Sequence, residues 1–129
     1  MRKVINIVYY WLPPVIWMGI IFYMSSQKSV ASGVNLAVDF ITFKSLHLVE
    51  YAFLFFLLYR AFHSLIYLKQ RFFGLFAFPI AMLYSLTDEL HQLSVPTRSG
   101  RLRDVFIDIA GMIIMYGIIK KIPYIKKLL

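Results

Sequence analysis

Four long stretches of mostly apolar residues, parted by short runs of charged and turn-forming residues, make up the chain. They run from about Val4 to Met24, Ser45 to Leu68, Phe72 to His91 and Asp104 to Ile119. Each approaches the ~20 residues a helix needs to cross the hydrocarbon core of a bilayer. Only helices and closed barrels pair all their backbone groups in lipid, and the apolar/polar alternation of a barrel strand is absent. The pattern therefore predicts an all-α membrane protein of four transmembrane helices, forming a single domain over residues 1–129. Pro13-Pro14 and Pro79 predict kinks in the first and third helices. Gly111 and Gly117 predict close approach of a neighbour to the fourth.

The stretch from Lys28 to Phe43 is only moderately apolar. Val30, Val34, Val38 and Ile41 fall on one helical stripe, with Asn35, Asp39 and Thr42 on another. That period predicts a short interfacial segment after the first helix, either a surface helix or a structured loop. Met1-Arg2-Lys3 before an apolar run also opens a signal peptide. The run is near span length, however, and Ser25-Ser26-Gln27 makes a poor cleavage site, so a retained helix is expected.

Composition supports the membrane reading. Of 129 residues, 60% are hydrophobic and only 16% charged, and the mean hydropathy is +0.72, too apolar for an ordinary soluble domain. The net charge of +8 raises nucleic acid as a partner. The cations cluster at the ends of apolar stretches, though, so the bilayer is the expected partner and nucleic acid is not. There is no cysteine, hence no disulfide and no thiolate metal ligand.

Charge also orients the chain. The termini and the second loop hold Arg2, Lys3, Arg60, Lys69, Arg71, Lys120, Lys121, Lys126 and Lys127. The opposite side holds Lys28, Lys44, Arg98, Arg101 and Arg103, together with all six acidic residues. The larger cationic set predicts an N-in/C-in topology in the cytoplasmic (plasma) membrane. The acidic residues Asp39, Glu50, Asp88, Glu89, Asp104 and Asp108 then fall on the outward side.

Helical spacing sorts those polar residues. His47, Glu50 and Tyr51 share one face of the second helix, Tyr84, Asp88, His91 and Gln92 form a stripe on the third, and Arg101, Asp104 and Asp108 one on the fourth. At a rise of ~1.5 Å per residue, Asp108 lies only ~6 Å deeper than Asp104. A charge at the centre of a span costs ~2.5–3.5 kcal/mol on insertion scales. Groups gathered at one depth should therefore point inward and pair. Glu89 is expected to face the boundary and His91 to cap its helix end. Carboxylates, imidazole and guanidinium in one pocket are suited to proton transfer, cation binding or anion capture.

Lys44-Ser45-Leu46-His47 with Glu50-Tyr51, then Asp88-Glu89-Leu90-His91-Gln92, then Arg98-Ser99-Gly100-Arg101, Asp104 and Asp108-Ile109-Ala110-Gly111, resemble the VanZ-like family. These are small membrane proteins named after a teicoplanin-resistance determinant. The likeness runs from Ser25-Ser26-Gln27 to about Gly117. Val95-Pro96-Thr97-Arg98 departs from it, since a glycine often stands where Thr97 does. The resemblance implies a multi-pass protein of the cytoplasmic membrane, linked in its founding member to glycopeptide tolerance. It implies no particular reaction.

Two classes of function follow. In the first, Arg98, Arg101 and Arg103 hold an anionic group of a lipid-linked or cell-wall precursor, with Lys44, Tyr51, His91, Gln92 and Asp104 completing the binding surface. His47, Glu50, Asp88 and Asp108 are then the candidates to move a proton. In the second, the cluster is structural glue in an interaction subunit, or part of an ion-coupled carrier that works as a homodimer. His47, His91 and a carboxylate could chemically hold zinc, but their spacing matches no metal motif. Neither a metal nor another cofactor is expected.

Overall fold

The computed structural model describes residues 2–28, 36–65, 69, 71–98, 100–122 and 125. Four helices account for nearly all of them: α1 (Arg2–Ser26), α2 (Leu36–His63), α3 (Arg71–Gln92) and α4 (Leu102–Lys121). No strand occurs among the described residues. Three helices are long and apolar enough to cross a membrane, over Asn6–Ser26, Phe40–His63 and Phe72–Gln92. α4 has 20 residues, ~30 Å of helix, but carries Arg103, Asp104 and Asp108 in its first two turns.

The second span is corrected at both ends. Nothing between Leu36 and His63 breaks a helix, since neither Gly nor Pro occurs there. Thus α2 begins nine residues before the expected Ser45 and ends at His63 instead of Leu68. The expected interfacial segment is half absorbed into it: Val38, Phe40 and Ile41 stand exposed on its first turns. Val30, Val34 and Asn35 lie outside the described residues, as does the side chain of Asp39. Pro13 and Pro14 lie inside α1, and Pro79 inside α3, without ending either helix.

α2 is the central helix. It packs against each of the others, α4 most extensively, whereas α1 and α4 do not touch among the described residues. Tyr51, Leu54, Phe55, Leu58, Tyr59 and Phe62 repeat at three- and four-residue spacing and are buried together, against Ala77 and Ala81 of α3 and Met112 and Ile119 of α4. Lipid is as apolar as these side chains, so close packing holds them rather than expulsion of water. Small residues permit that closeness. A Cβ built at Gly111 would strike the backbone of Leu48, so α2 and α4 meet there backbone to backbone. Gly117 corrects the paired expectation, because nothing described lies within 4 Å of the same position.

Large apolar side chains such as Val15, Tyr23, Val49, Leu83, Phe106 and Ile113 stand exposed around all four helices. On a water-soluble fold such a coat would aggregate; in a bilayer it meets lipid. With three apolar spans, this is a multi-pass membrane protein.

Replacing Gly111 by Ala should force α2 and α4 apart and cost about 1–3 kcal/mol. The check is a lowered melting temperature in detergent, with Gly117→Ala close to wild type.

Candidate functional site

The polar residues gather where α2, α3 and α4 meet, close to the N-terminal turns of α4. Two pairs link α2 to α4. The Lys44 Nζ donates to Asp104 Oδ2. One turn further along α2, His47 Nδ1 stands 3.4 Å from Asp108 Oδ1, without the alignment of a hydrogen bond. Asp108 is completely buried, and its Oδ2 accepts a 2.5 Å bond from Ser85 Oγ of α3. The His47 ring stacks parallel to Tyr51, with centroids 6.5 Å apart, which braces it from behind.

α3 contributes a stripe that differs from the expected one. Ser85, Asp88, Glu89 and Gln92 stand at i, i+3, i+4 and i+7, and all four are buried. Tyr84 and His91 turn instead to α1. The Tyr84 hydroxyl donates to the Met18 carbonyl at 2.5 Å. His91 Nε2 lies 2.9 Å from Ser26 Oγ and stacks on Phe22. His91 therefore ties α1 to α3 and lines neither cavity of the site. Glu89 is the converse correction: only 5% exposed, it points into the bundle. Ser85 escaped the sequence reading, although its three-residue spacing from Asp88 was the signal.

The connecting loop folds back over this cluster. The Arg101 backbone N–H donates to Glu89 Oε2 at 2.7 Å, and Gly100 passes so near the Glu89 carbonyl that a Cβ there would overlap it. The Arg98 guanidinium binds no carboxylate among the described residues. It donates to the carbonyls of Met24 and Gln27 at 2.9 Å each, satisfying acceptors that the end of α1 leaves open. Thr97, where a glycine often stands in the family pattern, has φ 70°. That left-handed conformation suits glycine and strains a β-branched residue.

Two adjoining cavities result. The inner one, of about 100 Å³, is lined by His47, Glu50, Asp88, Gln92 and Arg98, with Met24, Ser25, Phe43 and Leu46 completing it. The outer one, of about 370 Å³, is lined by Lys44, Arg98, Arg101, Arg103 and Asp104, with Phe40, Phe43, His47, Gln92 and Thr97. Phe43, His47, Gln92 and Arg98 belong to both walls, so the basic chamber adjoins the acidic one. Arg103 lies over the Phe40 ring, 4.9 Å from its centroid, with its Nε 3.8 Å from Asp104 Oδ1. Glu50 and Asp88 thus face one cavity, and Asp108 sits directly behind His47. The chemically possible zinc pair of His47 and His91 is not formed, His91 having turned to α1; His47 is grouped with Asp88 and Glu89.

The family pattern can now be set on this geometry. A family model described as VanZ/LLP1 matches residues 10–125. The chain belongs to the VanZ/LLP1 family. No curated protein and no solved structure matches it. The VanZ/LLP1 match spans α1 to α4, so it takes in every residue of both cavities.

Thr97→Gly should raise stability by about 1 kcal/mol, the relieved strain exceeding the added freedom of the unfolded chain. Chemical or thermal unfolding in detergent reads this directly. Asp104→Asn should cost about 3 kcal/mol by stranding the Lys44 ammonium, whereas Lys44→Met with Asp104→Leu should recover most of the loss.

Proposed function

We propose that this VanZ/LLP1 protein binds a lipid-linked or cell-envelope molecule through an anionic group held in the basic chamber, while the acidic chamber moves a proton on it. The observation that carries this reading is the shared wall. The Arg101 and Arg103 side chains reach the outer chamber with no hydrogen bond to a carboxylate among the described residues, Arg103 in a loose 3.8 Å ion pair with Asp104. His47 and Gln92 lie between that chamber and Glu50 and Asp88. Guanidinium groups recognise phosphate and carboxylate bidentately. His47, Glu50 and Asp88 supply proton acceptors in the wall of the ~100 Å³ inner chamber, with Asp108 behind His47.

In this reading the whole chain is one domain of the plasma membrane, and α4 is the fourth span. Its two aspartates are buried against α2 and α3, so the charges that lower its hydropathy need not meet lipid. The surplus of Lys and Arg at the termini and the second loop favours N-in/C-in, so both chambers open outward at headgroup depth. Teicoplanin tolerance is the phenotype that the family name suggests for such an envelope-facing site.

A second reading draws on a different observation. Glu50, Asp88 and Glu89 have no ion-pair partner among the described residues, which favours an ion-coupled carrier, with a homodimer supplying further spans. The two readings part on ligand. With Arg101→Gln and Arg103→Gln combined, binding of a phosphate-bearing envelope lipid should weaken about tenfold, and melting temperature should hold. Asp88→Asn or Asp108→Asn, at wild-type membrane abundance, should abolish any teicoplanin tolerance that the protein confers. Undiminished tolerance in both would remove these carboxylates from the mechanism.

A further inference from the structure

More buried carboxylates gather around the inner chamber than ion pairs offset among the described residues. Asp88, Glu89 and Asp108 are 4%, 5% and 0% exposed; Asp88 and Glu50 line the chamber, with Glu89 and Asp108 beside its His47. Of the cations near them, Lys44 is engaged by Asp104, and the Arg98 guanidinium, which lines the chamber, is hydrogen-bonded to the Met24 and Gln27 carbonyls and to no carboxylate among the described residues. Among those residues, His47 alone forms an ion pair there, with Asp108. Buried carboxylates are stable when paired or bound to a cation.

Hydrogen bonding treats the two oxygens of each α3 carboxylate differently. Gln92 Nε2 donates to Asp88 Oδ2 at 3.0 Å, and the Arg101 backbone N–H donates to Glu89 Oε2. The other two oxygens, Asp88 Oδ1 and Glu89 Oε1, are buried without a hydrogen-bond partner among the described residues. One ligand atom from each of His47, Asp88 and Glu89 lies within 4.8 Å of the other two. Tetrahedral ligands 2.0–2.2 Å from one ion stand ~3.3–3.6 Å apart. Inward shifts of at most ~0.9 Å each, within the reach of side-chain rotation, would therefore close all three onto a common centre.

We propose that His47, Asp88 and Glu89 hold one divalent transition-metal ion, Zn²⁺ or Mn²⁺. The imidazole nitrogen favours these over Mg²⁺ or Ca²⁺, and two carboxylates suit a borderline or hard ion. The two positive charges match the two α3 carboxylates that have no ion-pair partner among the described residues. Asp108, itself fixed by Ser85, is a positioning residue that faces His47 Nδ1 and leaves Nε2 for the ion, as carboxylates behind metal-bound histidines do. Three protein ligands leave a coordination position for water or for an oxygen of the bound molecule, next to the ~100 Å³ chamber. Glu50 then remains as the proton acceptor in the chamber wall. The inference deepens the proposed reading of the inner chamber, and rests on it for what the ion would act upon.

The ion itself is tested with no envelope ligand present, so this experiment and the lipid-binding one fail separately. The full chain is purified in detergent, stripped with a chelator and titrated calorimetrically with Zn²⁺ alone and with Mn²⁺ alone. One ion per chain and a raised melting temperature are expected. Affinity should fall at least ~10-fold in His47→Ala, Asp88→Asn and Glu89→Gln, and stay at the wild-type level in His91→Ala. Absence of saturable binding by folded wild type, or unchanged affinity in those three variants, overturns the site. X-ray absorption of Zn²⁺-loaded wild type covers the case in which the variants do not fold. A nitrogen/oxygen shell with one imidazole is expected, and one with two or more imidazoles overturns the assignment.

Discussion

An ionised side chain among apolar neighbours must find an opposite charge or a cation, and the arrangement of this protein follows from that need. The seam between α2 and α4 meets it with Lys44 on Asp104 and His47 beside Asp108. The same seam is where Gly111 brings the two backbones together at Leu48. A bulkier residue at Gly111 would separate the helices just below the His47–Asp108 pair. Close packing and charge pairing therefore depend on one another, and neither is sufficient alone in lipid, where apolar surfaces gain little by meeting.

The other helices are drawn to that seam by single polar bonds. α3 joins through Ser85 on Asp108, and its Asp88 and Gln92 complete the inner wall. α1 joins through Trp17 Nε1 on the Glu50 carbonyl at 3.0 Å, and through Tyr84, His91 and Arg98. Arg98 has two consequences at once. It closes the end of α1 over the chamber, bringing Met24 and Ser25 into the wall, and it anchors the loop that carries Arg101 and Arg103. An arginine hydrogen-bonded to backbone carbonyls shapes the site, while its charge still faces the chamber that Glu50 and Asp88 line.

The molecule is thus uneven along its length. One end holds the paired and unpaired charges. The other is a packed aromatic interior, with Phe55, Tyr59 and Phe73 in edge and tilted contacts and Arg60 over the rings of Tyr9 and Tyr10. Ring packing at one end holds together the helices that carry the polar cluster, so that Lys44–Asp104 and His47–Asp108 stay within pairing distance.

Local pattern alone determined that this is a helical membrane protein, because apolar run length and the lack of strand alternation follow from the bilayer's thickness and dryness. It also determined which three helices carry polar faces, since i, i+3 and i+4 positions share a face in any α-helix. The start of α2 at Leu36 was equally open to reading, from the absence of any breaker before Ser45. Which of two overlapping stripes on α3 turned inward was decided only by packing. Tyr84 with His91 and Ser85 with Glu89 are each helically spaced, and the position of α1 allots the first pair to itself and the second to the bundle. The partner of Arg98 was likewise beyond sequence, because carboxylates and an open helix end both attract guanidinium. Distance alone chose between them.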